Sequence, residues 1–295
     1  MNSMKSIKII SIFLLISVIG SLFSISASAK KSDIKTYKGY KYIEVNNKKE
    51  IRIVGFEKNG YKFDGKKITM SFPKKIKEKK VTEVDLGKIY KNTFPVGYVL
   101  TKDGESIPMI INIHSKIKKI NSSLKGDIYW INVSKKNRYY CSKGGVLYNK
   151  KKTVLVQYNR NHPRKTFTVP KSVKEIGNCA LSYSDNLERI NLNNGLKIIG
   201  DSALCGAFNE YKENYRINKI PKTVKIIKKS AFSDVWLNNG RIRIPKSVKK
   251  IEKENFGFFS YPYYPRYDKK FIIEGKKGSA AWEYAKKHKL KFIAV

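Results

Sequence analysis

Five lysines stand at one position of a recurring phrase. Lys118, Lys174, Lys197, Lys225 and Lys249 each follow an anchor residue by four: His114, Pro170, Asn193, Pro221 and Pro245. Ammonium groups repeated at a fixed spacing break no bonds, but they attract anionic polymers. They also make an ordinary solvated face. At the ~4.8 Å spacing of adjacent strands, neighbouring charges repel by roughly 0.8 kcal/mol in water-like dielectric, and by less in salt. Both readings of the row stand at this point. A second candidate is the segment FGFFSYPYYPRY, Phe256 to Tyr267. Tyr261, Tyr263 and Tyr264 there either form an exposed recognition loop, since tyrosine gives large contact area at low entropic cost, or fold over the neighbouring coil.

The inventory for bond-making chemistry is poor. Cys141, Cys179 and Cys205 are the only cysteines and His114, His162 and His288 the only histidines, scattered and without C-x-x-C spacing. That pattern offers no oriented Cys-His nucleophile, no metal-ligand set and no cofactor motif. Cys179 and Cys205 fall at or beside inward positions of adjacent repeats, where they are small hydrophobes or a disulfide pair. No acidic spacing recurs, and SKGG lacks the lysine-serine end of a phosphate loop. The expectation is a non-catalytic protein without cofactor or metal.

The elements that would position these residues come from the repeat itself. Counting from the anchors, Val173 and Ile176, Leu196 and Ile199, Val224 and Ile227, and Val248 and Ile251 recur at the same offsets, followed by Ala180-Leu181, Ala203-Leu204, Ala231-Phe232 or Phe256. The steps from Pro170 to Asn193, Pro221 and Pro245 are 23, 28 and 24 residues, within the leucine-rich-repeat range. A short β-prone run precedes each anchor (TFTV, INL, IRI), and proline ends it because it cannot donate to a ladder. One unit cannot bury its apolar residues alone; stacked units can. Asn218 stands where Phe167 and Ile242 do, and Ile217 beside it predicts a register shift or a bulge there.

The phrase I-P-K-S-V-K-x-I-G…A-F at this spacing resembles the BspA-like leucine-rich repeats of bacterial secreted and surface proteins. Two further stretches carry the likeness: YYCSKGGVLYNKKKTVLVQY (Tyr139 to Tyr158) is similar to the strand-turn-strand insert of that family, and Ile273 to Phe292 to its closing segment. Residues 68–84 look like a divergent first repeat. The resemblance covers Ile68 to Val295, with proline missing at Asn193 and His114 and glycine missing at Lys228 and Glu252, which predicts less regular coils there. It implies a mainly β solenoid of short parallel strands with an inserted hairpin and a C-terminal capping helix. It also implies adhesion to host matrix, other cells or cell-envelope polymers. From the residues alone, GVLYN and TVLVQY read as a hairpin around a lysine turn, and Ser279 as the N-cap of a helix whose Trp282 covers the last coil.

Lys5 and Lys8, the apolar run Ile9 to Gly20 and Ala27-Ser28-Ala29 read as a secretory signal peptide. The layout is therefore 1–29 signal, 30–67 an N-terminal β-rich cap containing YKYIEV and EIRIVGF, and 68–295 the repeats, with the hairpin at about 139–158 and the closing segment at 273–295. With 62 Lys+Arg against 23 Asp+Glu, a secreted chain meets extracellular proteins, anionic polysaccharides and cell-wall polymers, not genomic nucleic acid. No transmembrane span is expected after signal removal. Part of the charge also follows from a composition rich in Asn, Ile, Tyr and Phe, which AT-rich codons supply together with Lys. The expected role is a secreted or surface-retained binding module; the alternative is a secreted enzyme or inhibitor using the Tyr-rich loop or the N-terminal region.

Overall fold

The computed structural model describes residues 33–93, 107–121, 128–207, 216–217, 219–235, 237, 240–260 and 265–295. The described chain is mainly strand, with two α-helices, Leu86–Thr93 and Ala280–His288. Neither is long and apolar enough to cross a membrane.

The described residues open with three antiparallel strands, the first of which, Lys35–Tyr37, pairs with Tyr40–Val45. Tyr40–Val45 and Glu50–Phe56 pair antiparallel, as their β-prone sequences predict. Glu50–Phe56 then pairs in parallel with Lys79–Asp85, which pairs in parallel with Lys119–Asn121. Across the coil, Ile68–Ser71, Met109–Ile113 and Ile128–Val133 form a second parallel set. From there the chain makes a three-stranded meander, Tyr140–Lys143, Val146–Asn149 and Val154–Gln157. The lysine turn predicted between its last two strands is present, and a second turn at Gly144-Gly145 adds the first strand.

The last strand of the meander starts the longest ladder. Val154–Gln157, Glu175–Ile176, Ile198–Ile199, Ile226–Ile227 and Lys250–Ile251 pair in parallel, one strand per repeat. On the opposite side Thr166–Thr168, Arg189–Asn191 and Arg216–Ile217 do the same, and Arg241–Arg243, Ile272–Gly275 and Lys291–Ala294 follow as a separate set. The repeated hydrophobic offsets explain the stacking. Val173, Leu196 and Val224, like Ile176, Ile199 and Ile227, are fully buried in one continuous core. A third line of backbone bonds closes each coil: Tyr158 N to Ala180 O, Leu181 N to Ala203 O and Leu204 N to Ala231 O, at 2.6–2.9 Å. The small alanine lets these turns approach, while its apolar neighbour fills the interior. The residue before each alanine or its equivalent (Cys179, Ser202, Ser230, Glu254) takes a left-handed φ of 50–59°.

Ile190 pairs with Ile217, and Ile217 is buried. The third coil is thus shifted by one residue, as Asn218 predicts; Asn218 itself lies outside the described residues. Two apolar cores form, one from Tyr42 to Leu147 and one from Val146 to Leu290. They meet in the strand Val146–Asn149, where alternating side chains face opposite ways: Leu147 joins the first core, Val146 and Tyr148 the second.

At the C-terminus the structure corrects one assignment. Trp282 is only half-buried, with the Lys286 ammonium 5.1 Å above its ring. The aromatic on the last coil is Tyr284, which packs in the core and accepts the Asn255 backbone N–H at 2.8 Å. Two residues along a helix is a turn of about 200°, so the two rings cannot share a face. Ser279 has the extended backbone of an N-cap, but its hydroxyl makes no capping bond.

Candidate functional site

The parallel ladder fixes where the lysines lie. Lys174 N donates to Thr153 O, Lys197 N to Lys174 O, Lys225 N to Lys197 O and Lys249 N to Lys225 O, at 2.7–2.9 Å. Four lysines named from spacing alone are therefore consecutive rungs of one hydrogen-bonded column. Each side chain is exposed, and none forms an ion pair with another described residue. Lys171, Lys222 and Lys246 at the preceding corners are also exposed. Beside the column stand Glu175, Ile198, Ile226 and Lys250, so Glu175 is the carboxylate nearest in sequence. A Cβ on Gly195 would lie 2.7 Å from Lys174 Nζ; the missing side chain leaves that ammonium its place.

Lys118 shares the offset but not the environment. Its backbone N–H bonds Thr82 O, placing it in the N-terminal sheet, and its ammonium pairs with Glu50 at 2.7 Å. That hydrogen bond from Lys118 holds the Glu50 carboxyl below the usual carboxylate range, against the opposing effect of burial. Lys118 is therefore paired where Lys174, Lys197, Lys225 and Lys249 are not paired among the described residues.

The corners carry a device that the sequence reading passed over. Where proline is absent, the anchor side chain reaches back one coil. Asn193 Nδ2 donates to Pro170 O at 2.9 Å and Val173 O at 3.0 Å, while its Oδ1 accepts Gly195 N. Asn137 does the same to His114 O and Ile117 O, both at 2.9 Å, and accepts from Tyr139 N and Tyr140 N. His114 Nε2 lies 3.1 Å from Pro73 O while its Nδ1 accepts Lys116 N, which fixes the proton on Nε2. The coils at Asn193 and His114 are therefore tied to their neighbours and not loosened by the loss of proline. The available signal was a side chain with both a donor and an acceptor at an anchor position.

Tyr261, Tyr263 and Tyr264 are outside the described residues. The segments around them pair as Phe258–Phe259 with Arg266–Tyr267. Phe256 stacks on Phe232 at 4.7 Å, and Tyr267 stacks on His288 at 4.2 Å.

None of the three cysteines forms a disulfide. Cys179 stands nine residues after its anchor and Cys205 twelve after its own, so they occupy different positions in neighbouring coils. Burial pushes the Cys205 thiol up to about 11, and Ser233 Oγ donates to its sulfur at 3.1 Å. It carries little thiolate at neutral pH, which is the reverse of an activated nucleophile. Among the described residues no group of three His, Cys, Asp or Glu side chains could hold a metal ion.

Residues 158–261 match, in 6 copies, a family described as the BspA type leucine rich repeat region. No curated protein matches the chain. Solved structures similar to it include a leucine-rich repeat protein from Eubacterium ventriosum, 15% identical over 88% of this chain and 83% of that one, with a TM-score of 0.45. A leucine rich cell surface protein from Faecalibacterium prausnitzii is 14% identical over 85% and 97%, TM-score 0.40. The pneumococcal vaccine antigen PcpA is 13% identical over 89% and 98%, TM-score 0.36.

Proposed function

From a chain whose residues 158–261 are BspA-type leucine-rich repeats, we propose a secreted, surface-retained binding module that does no chemistry and grips anionic polymers of a cell envelope or host matrix. The repeats act as a short solenoid, closed at one end by the helix Ala280–His288, and one edge of it is the adhesive surface. The observation that carries this reading is the column Lys174, Lys197, Lys225 and Lys249: four exposed lysines on adjoining rungs, none of them paired to a carboxylate among the described residues. Unpaired like charges held on a rigid frame gain twice from a polyanion. Their mutual repulsion is relieved, and the polymer's condensed counterions are released.

The test is retention on a sulfated resin as salt is varied, with the chain freed of residues 1–29. Replacing the four lysines with glutamine lowers the eluting salt and flattens the slope of log K against log salt by about three, scaling from the loss per neutralised charge on single-stranded polymers. The control removes equal charge at Lys49, Lys66, Lys80 and Lys276, which are also exposed. An equal loss in the control assigns the binding to net charge and ends the proposal.

A further inference from the structure

We infer that the lysine turn of the meander is the first segment of the same binding strip, and that the strip takes a linear anionic polysaccharide lying across the strands. The inference rests on the proposed function and extends it in two respects: where the surface begins and what shape of polymer it fits.

The hydrogen bonds align the turn with the column. Lys174 N and Glu175 N both donate to Thr153 O, as Lys197 N and Ile198 N both donate to Lys174 O. Thr153 therefore occupies the rung before Lys174. This rung has a threonine where the others have lysine, but Lys151 and Lys152 directly precede it, and both are exposed and outside any ion pair among the described residues. Lys150 of the same turn is engaged differently, donating to Lys135 O and Asn137 O; those bonds hold the turn in place. The next lysine of the same offset toward the N-terminus, Lys118, is closed by Glu50. The strip thus runs from Lys151 and Lys152 through Lys174, Lys197 and Lys225 to Lys249, over five rungs.

The frame selects the polymer. Rungs recur at about 4.8 Å, close to the length of one sugar ring. An extended polysaccharide with one carboxylate or sulfate per ring presents one charge to each rung. The column consists of lysines, which act as point charges and make no bidentate fork. Among the described residues the flanking positions are Glu175, Ile198, Ile226 and Lys250, with the two isoleucines on the middle rungs, and none is an aromatic platform of the kind that stacks nucleobases. Half-buried aliphatic side chains between the charges suit the C–H faces of sugar rings.

Binding of labelled oligogalacturonates of graded length, one carboxylate per ring, tests this by fluorescence anisotropy at low salt. Affinity rises with length and levels off at about five rings. Lys151→Gln with Lys152→Asn (asparagine because Lys152 has φ 54°) weakens the longest ligand by about fivefold to tenfold and shortens the plateau by about one ring. Lys197→Gln with Lys225→Gln weakens all lengths beyond the shortest. If the turn variant binds as the unmodified chain does while the column variant weakens, the inference about the turn is overturned and the proposed function stands. If neither variant weakens, both are overturned. Oligophosphate of equal charge binding as tightly as the uronate overturns the assignment to a polysaccharide.

Discussion

Asn193 stands in for a proline by binding to one: its Nδ2 donates to the carbonyl oxygen of Pro170, 23 residues earlier, at 2.9 Å. The same nitrogen reaches Val173 O, and Oδ1 takes the Gly195 N–H. Proline ends the strand by having no donor to offer; asparagine ends it by satisfying the turn on both sides. Asn193→Ala removes three bonds at a buried corner and takes their side-chain partner from Val173 O and Gly195 N, while Pro170 O keeps the Val173 N–H. The expected loss is about 2–3 kcal/mol in urea denaturation. Asn193→His loses less, because an imidazole already performs this task at His114. An alanine variant as stable as the parent removes the structural role.

The histidine corners make stability depend on pH. Burial, the largest cause, holds His114 and His162 below the ordinary histidine range, with Lys74 and Lys116 adding to the effect at His114 and Arg164 at His162. The folded state therefore binds fewer protons than the unfolded chain. Stability is fully present above the unfolded pKa of about 6.5 and declines as pH falls through it. Geometry gives the same sign: Nδ1 of His114 accepts Lys116 N, and Nδ1 of His162 accepts Arg164 N, so protonation breaks both bonds. The thermal midpoint should fall between pH 7.5 and 5.5, before the carboxylates titrate. His114→Asn, which copies the Asn193 corner, should reduce the fall. An equal fall in the variant would exclude His114 as a contributor.

The closing helix offers a contrast between two aromatics two residues apart. Tyr284→Ala opens a cavity against Phe256 and orphans the Asn255 N–H, at a cost of about 3–5 kcal/mol. Trp282→Ala removes a half-exposed ring and costs under about 1 kcal/mol. Chemical denaturation of the two variants decides it; the reverse order would restore Trp282 as the cover.

Much of this architecture was legible because it is periodic. Val173, Leu196, Val224 and Val248 are buried at one offset, and the lysines one residue later are exposed at the next, since each coil repeats the same local geometry. What escaped was whatever breaks the period. The Lys118–Glu50 pair joins residues 68 positions apart, and no spacing rule reaches that far. The turn Lys150–Lys152 was read as a plain polar turn, because the meander lies outside the repeat count and its rung carries Thr153. Asn193 and His114 looked like defects since a missing proline is visible in a sequence, whereas a bond to the preceding coil is not. Trp282 reads as the cover because ring size is visible in a sequence, whereas the packing that turns Tyr284 onto the last coil is not.

A column built by hydrogen bonds between identical positions is also a ruler. Each coil that is copied whole brings its own rung, its own ammonium and its own share of the interior, and the backbone sets the increment. In-frame duplication of one such unit would lengthen the cationic edge by a single step without redesigning any existing contact. Selection can then adjust avidity through copy number, leaving the residues themselves untouched.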